Sequence, residues 1–183
     1  MTNHPVAQAS IPSEDPVASF SQCHAGIVSQ LQLFAQLPVL QAAATRAREV
    51  AASMLTLFKH AVHEHHADEE NELFPAVLRS AAPGKESQRV QAMVQRLTAE
   101  HRQIEARWKK LEPAVRAAAR NEPSCLDMDE VDDLVQAYLA HACFEEAQFL
   151  PLADRILGRN DDHMAALGLA LHLRRAAPVV GYI

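Results

Sequence analysis

The sequence has little glycine, few aromatic side chains and few cysteines: 5 glycines, 5% aromatic residues and 3 cysteines in 183 residues. Scarce glycine and aromatics in a chain rich in alanine and leucine argue for helices. Cys23, Cys125 and Cys143 are odd in number and show no CxxC spacing, which excludes a disulfide framework and a Cys-rich zinc site. They fit a reducing, cytoplasmic setting. Positive charge is also short, with 17 Lys and Arg against 23 Asp and Glu. No basic stripe marks the chain for nucleic acid or a membrane surface. No apolar run follows a basic segment near the N-terminus, so no signal peptide is expected. No stretch reads as long and apolar enough to span a bilayer. The length suits one domain with a real core.

What the chain does have is histidine. There are ten, clustered rather than scattered. The densest stretch runs from His63 to Pro75, HEHHADEENELFP. Alone it reads as a solvated charged face. It occurs twice, however. Aligning Pro75 with Pro151 lays HHADEENELFP over HACFEEAQFLP. His65 then matches His141, Glu69 matches Glu145 and Glu70 matches Glu146. The shared pattern is His-x-x-x-Glu-Glu-x-x, two apolar residues, Pro.

A His and a Glu four apart share a helix face. At about 100° per residue, Phe58, Val62, Leu73 and Ala76 fall on the side of His65 and Glu69. Leu134, Tyr138, Phe149 and Leu152 fall on the side of His141 and Glu145. Each pair therefore lies in an apolar stripe and faces the core. Glu70 and Glu146 point elsewhere and read as surface. His24 and His101 lie in apolar stripes of their own, each followed three residues later by Ile. The interval from His24 to His65 nearly equals that from His101 to His141. The chain thus reads as two helix–helix units, each with a lone His on one helix and His-x-x-x-Glu on the next. Packed as a four-helix bundle, they bring four imidazoles and two carboxylates together.

Residues 1–16 read as a flexible extension, residues 17–158 as the bundle, and residues 159–183 as a short extra C-terminal helix and a tail. Helix 1 is expected from Pro16 to Leu37, with Pro38 opening helix 2, which continues to about Arg79 with a kink near Pro75. Ala82-Pro83-Gly84 is the clearest loop. Helix 3 carries Val90, Val94, Leu97, His101, Ile104, Trp108 and Leu111. Helix 4 runs from Met128 to Leu157, bent near Pro151.

Buried imidazoles and carboxylates are costly unless they are paired or hold a metal. Four His and two Glu exceed the needs of one tetrahedral zinc. They suit two metals sharing carboxylates. The candidate ligands are His24, His65, Glu69, His101, His141 and Glu145. His66 borders the stripe as an outer partner or alternative ligand. Glu105, one turn past His101, can ligate a metal, hydrogen-bond His101, or pair with Arg102 or Lys109. His4, His60, His63, His163 and His172 read as surface. Cys143 lies nearly opposite His141 and reads as packing.

These residues resemble the bacterial hemerythrin-like family, the HHE cation-binding domain. The likeness rests on His24, on His65-His66-x-Asp68-Glu69-Glu70-x-x-Leu73-Phe74-Pro75, on Glu100-His101-Arg102, and on His141-x-x-x-Glu145-Glu146 with Leu150-Pro151. It implies an antiparallel up-down bundle with a non-haem di-iron site, two iron ions bridged by carboxylates and an oxo or hydroxo group. It implies that His24, His65, His101 and His141 are terminal ligands and that Glu69 and Glu145 bridge. Oxygen-carrying members have a second His where this chain has Glu105, and their helix 4 carboxylate sits at the position of Glu146; the internal repeat favours Glu145. One metal is then left with an open or carboxylate-filled position.

The expected function is binding or sensing O2, NO or peroxide, without catalysis, as a monomer or homodimer with no assigned protein partner. The alternatives are a redox enzyme reducing peroxide or NO, an iron-donor protein repairing iron centres, and a structural bundle with zinc or another divalent metal. A ferritin-like carboxylate site is disfavoured, because Glu-x-x-His is absent from the matched positions.

Overall fold

The computed structural model describes residues 16–160, together with residues 165 and 168. The N-terminal extension, His4, His163, His172 and nearly all of the expected fifth helix lie outside the described residues. Most of those described are helical, with no strand among them. The chain divides into two compact units, Met1–Arg46 and Ala47–Ile183.

Helix α1 is Pro16–Phe34. It closes three residues before the expected end, in a turn where Ala35 N donates to Leu31 O and Gln36 N to Leu33 O. Helix α2 then spans residues 37–80, with Pro38 in its first turn, where a missing N–H costs nothing. The described members of the stripe expected on α1 are exposed: His24, Ile27, Val28, Leu31 and Phe34. A unit this small has too little surface to bury such a stripe within itself.

The expectation that no stretch is long and apolar enough to span a bilayer is corrected. The helical run His24–Ser80 contains an 18-residue window with mean hydropathy 1.2, long and apolar enough to cross a membrane by length and composition. None of that window is buried, whereas the core helices of water-soluble proteins that pass the same test are mostly buried.

Helix α2 is not a uniform α-helix. Leu37–Thr56, His63–Asp68 and Phe74–Ser80 are α-helical, while Leu57–Val62 and Glu69–Leu73 are π-helical. Helix α3 is Lys85–Ala119 and continues past Pro113. Its start follows Gly84, whose φ of 96° belongs to glycine. Helix α4 spans residues 128–157: Met128–Phe144 and Leu150–Leu157 are α-helical, and Glu145–Phe149 is π-helical. Asp127 caps it, its Oδ1 accepting from Asp129 N at 2.9 Å and Glu130 N at 3.1 Å. Gly158 ends it with φ −67°, without the left-handed turn that often succeeds a helix.

The later part of α2 packs against α3 and α4, and α3 packs against α4. Two apolar cores result. One gathers Phe74, Val77, Val90, Leu97, Phe149 and Ile156. The other gathers Phe58, Val62, Ile104, Trp108, Leu111 and Leu134. Phe58 stacks on Trp108, ring centroids 4.0 Å apart. On α3, His101 falls between Leu97 of the first core and Ile104 of the second, so a polar cluster occupies the seam.

Candidate metal centre

The π-helical segments set which side chains reach that seam. A π turn closes i→i+5 bonds and so carries one residue more than an α turn. On α2 the buried residues are Ala51, Phe58, Val62, His66, Asp68, Glu69, Phe74 and Val77, and all but Asp68 follow one face. The strides of four across the first π segment, and of five across the second, are wider than the α-helical 3.6. The face carried forward from Phe58 therefore meets His66, where an unbroken α-helix would bring His65. His66 is 1% exposed, and the His65 side chain is 42% exposed.

Six side chains converge. His66, His101 and His141, all buried, offer ring nitrogens within 4.8 Å of one another. His65, Glu69 and Glu145 form a second group on the same criterion. Glu69 faces both: its Oε1 is 3.4 Å from His65 Nε2 and its Oε2 is 3.2 Å from His101 Nε2. Glu145 Oε2 is 3.7 Å from His141 Nε2. Of the residues expected from the sequence, the structure thus brings together His65, Glu69, His101, His141 and Glu145, together with His66, expected as an outer partner or alternative ligand. His24 lies on α1 in the other unit and is exposed.

Each buried ring is gripped from behind by a carboxylate of a neighbouring helix. His66 Nδ1 is 3.2 Å from Glu105 Oε1, His101 Nδ1 is 2.8 Å from Glu70 Oε1, and His141 Nδ1 is 3.2 Å from Glu100 Oε2. With Nδ1–H donating outward, each Nε2 presents its lone pair inward. Glu105 lies behind His66, within reach of Arg102 as well. Glu70, expected on the surface, holds His101 instead. Glu100, which the sequence offers only as a neighbour of His101 in the Glu100-His101-Arg102 motif, holds His141. Its only local signal is its position beside His101, because the ring it serves lies 41 residues away.

The charges derive from burial. Burial pushes the His66 imidazole down to about 4, helped by neighbouring His101. Burial likewise holds His141 below its ordinary value, against the pull of Glu100. Burial also opposes charge on His101, but Glu69 and Glu70 outweigh it and raise that ring. Burial drives the Glu145 carboxyl up to about 9, reinforced by Glu69 beside it. Glu69 resists the same burial, because the His101 ring and the Glu145 carboxyl bring it down to about 2. The cluster by itself thus keeps one carboxylate charged and one protonated.

The donor set fits a metal cation. His66 Nε2, His101 Nε2, His141 Nε2 and both Glu69 oxygens are buried and make no hydrogen bond of good geometry in the protein, their nearest polar contacts being with one another and with His65: His101 Nε2 to Glu69 Oε2 at 3.2 Å and His65 Nε2 to Glu69 Oε1 at 3.4 Å. These atoms converge in one cluster while every Nδ1 behind them is paired. Lone pairs aimed inward, with donors satisfied outward, are what a cation requires of imidazole ligands. The mixed nitrogen and carboxylate set suits iron, zinc, manganese or copper better than calcium or magnesium.

Comparison with known families matches residues 15–153 to the hemerythrin HHE cation binding domain. No curated protein and no solved structure matches the chain.

Proposed function

The chain belongs to the hemerythrin HHE cation-binding family, and from that premise we propose that it holds two iron ions and binds or senses a small ligand: O2, NO or peroxide. The observation that carries this reading is the convergence of five buried ligand atoms from His66, His101, His141 and Glu69 that make no hydrogen bond of good geometry. His66, His101 and His141 form the first proposed cation position, and His65, Glu69 and Glu145 the second. Glu69, facing both groups, is the proposed bridge, with Glu145 beside it. The sequence repeat supports an antiparallel four-helix bundle as the full fold.

Iron held there would supply a redox-active Lewis acid able to take a diatomic or peroxide ligand. The protein's own part is orientation and water exclusion. Glu100, Glu70 and Glu105 fix the rings, and the two apolar cores on either side keep the buried group dry. His65, more exposed than its neighbours, marks the side on which a small ligand gains access. Cys125 and Cys143 are exposed and free, which supports a reducing compartment and so a cytoplasmic location.

Metal analysis of protein purified without added metal, paired with its optical spectrum in air, tests the reading. About two irons per chain and near-ultraviolet bands that bleach on reduction are expected. One zinc or no metal, with no anaerobic uptake of ferrous iron, would overturn it.

A further inference from the structure

One exposed side chain connects the surface to two of the buried rings. Arg102 is 57% exposed, and its guanidinium reaches two carboxylates at once. Nη2 donates to Glu70 Oε2, and Nη1 lies 3.4 and 3.3 Å from the two Glu105 oxygens. The other oxygen of Glu70 grips His101 Nδ1, and Glu105 Oε1 also grips His66 Nδ1. His66 and His101 are themselves stacked, ring centroids 3.9 Å apart. We infer that Arg102 is a positioning residue: through Glu70 and Glu105 it fixes the orientation and tautomer of the stacked His101 and His66 rings, and so sets how tightly the cluster holds a cation.

The physical argument is one of charge and fork geometry. Glu70 and Glu105 carry negative charge close together, and each is partly open to water. Without a cation between them they repel, and each gains solvation by rotating outward, away from its ring. Released from its carboxylate, a ring can donate from either nitrogen, and an inward N–H blocks a cation. A guanidinium presents five N–H donors in a planar fork and can hold both carboxylates together. A lysine ammonium is a point charge on a flexible stem and does not span two partners in a fixed geometry. The third buried ring has a separate brace. Arg96 Nε donates to Glu100 Oε1 at 2.7 Å, and Glu100 Oε2 holds His141. Loss of Arg102 therefore loosens His66 and His101 and leaves His141 fixed.

This inference rests on the metal-binding reading for its affinity readout but not for its structural one. The test compares wild type, Arg102→Ala, Arg102→Lys and Arg116→Ala. Arg116 makes an ordinary pair with Glu112 on the same helix, far along α3 from the cluster. Zinc, a redox-inert probe, is titrated against a chromophoric chelator. Imidazole nitrogen NMR is recorded on the metal-free proteins, with helical content and melting as fold controls. Arg102→Ala is expected to weaken zinc binding by roughly 10–100-fold, the range for loss of an outer partner of a ligand. Arg102→Lys should fall between, and Arg116→Ala should stay at the wild-type value. In metal-free protein, the His66 and His101 signals should move from one tautomer to an exchanging mixture in Arg102→Ala, with His141 unchanged. Wild-type zinc affinity in Arg102→Ala would overturn the inference. If wild type itself takes up no metal, the function proposed above fails. The nitrogen spectra then decide the positioning role alone, and unchanged rings in Arg102→Ala overturn it.

Discussion

His66 and His101 stack face to face, their ring centroids 3.9 Å apart and their planes 5° from parallel. Two imidazolium ions cannot share that contact in a buried seam, so at most one ring is charged. Burial keeps His66 neutral, while Glu69 and Glu70 raise His101. We therefore expect His66 to matter more than His65 for the first cation. His66→Ala should weaken zinc or ferrous uptake beyond the roughly 10–100-fold typical of outer partners. His65→Ala should chiefly affect the second equivalent. Stepwise calorimetric titration separates the two. Equal losses at both positions would mean that the π segment does not set the face in solution.

The Glu145 carboxyl makes the opposite case for stability. Its pKa of about 9 records how strongly burial opposes its charge. Without metal its desolvation cost outweighs the hydrogen bond it makes to Glu69. Glu145→Met, similar in volume and apolar, should stabilise the metal-free protein by about 1–3 kcal/mol. It should also abolish the second equivalent of bound metal. Denaturant unfolding in chelator measures the first effect and metal analysis the second. A destabilised metal-free variant would show that Glu145 holds the helices together by itself.

Much of this site is legible in the sequence. The doubled motif points to Glu69, His141 and Glu145, and the stripe of α3 points to His101 between Leu97 and Ile104. Both inferences assume 3.6 residues per turn. The assumption holds along α3 and up to His141, where no π turn intervenes. It fails on α2, where the π turn at Leu57–Val62 advances the buried face by one residue. Nothing in LFKHAV announces that turn. The outer carboxylates are hidden for another reason. Glu70, Glu100 and Glu105 serve rings on other helices, and only tertiary packing pairs them. Glu70 in particular reads as surface, because half of its carboxylate does face Arg102 at the rim.

A remote ion pair gives a clean pH prediction. Glu86 accepts from Ala82 N at 2.7 Å and from both Arg159 terminal nitrogens, at 2.8 and 2.6 Å. It thereby ties the loop before α3 to the residue just after Gly158 at the end of α4. Arg159 first, and the Ala82 N–H next, bring its carboxyl from 4.5 down to about 2. A carboxyl depressed on folding stabilises the protein above its unfolded pKa and loses that contribution as pH falls through its folded one. The stability difference between wild type and Glu86→Gln should therefore be constant above about pH 5 and shrink between about pH 4.5 and pH 2. Chemical denaturation across that range reads it directly. A difference that does not change with pH would show that the pair is not formed in solution.

The π turn itself can be removed. Lys59 is exposed and lies in Leu57–Val62. A π turn accommodates one residue more than an α turn, so deleting Lys59 lets the segment relax to plain α-helix without rotating the downstream helix. Phe58 and His66 would then be seven residues apart, two α turns, and both would stay on the buried face. Deletion of Lys59 should therefore preserve helical content, the Phe58–Trp108 stack and metal uptake. Deleting Ala67, in the α-helical stretch after His66, should instead misalign Glu69 from its histidines and cost the metal. Trp108 is the only tryptophan, so its fluorescence reports the stack in both variants while metal titration reports the site. If the Lys59 deletion loses metal as completely as the Ala67 deletion, the π turn does more than shift register, and the strain at the start of the histidine segment is itself part of how the rings are aimed.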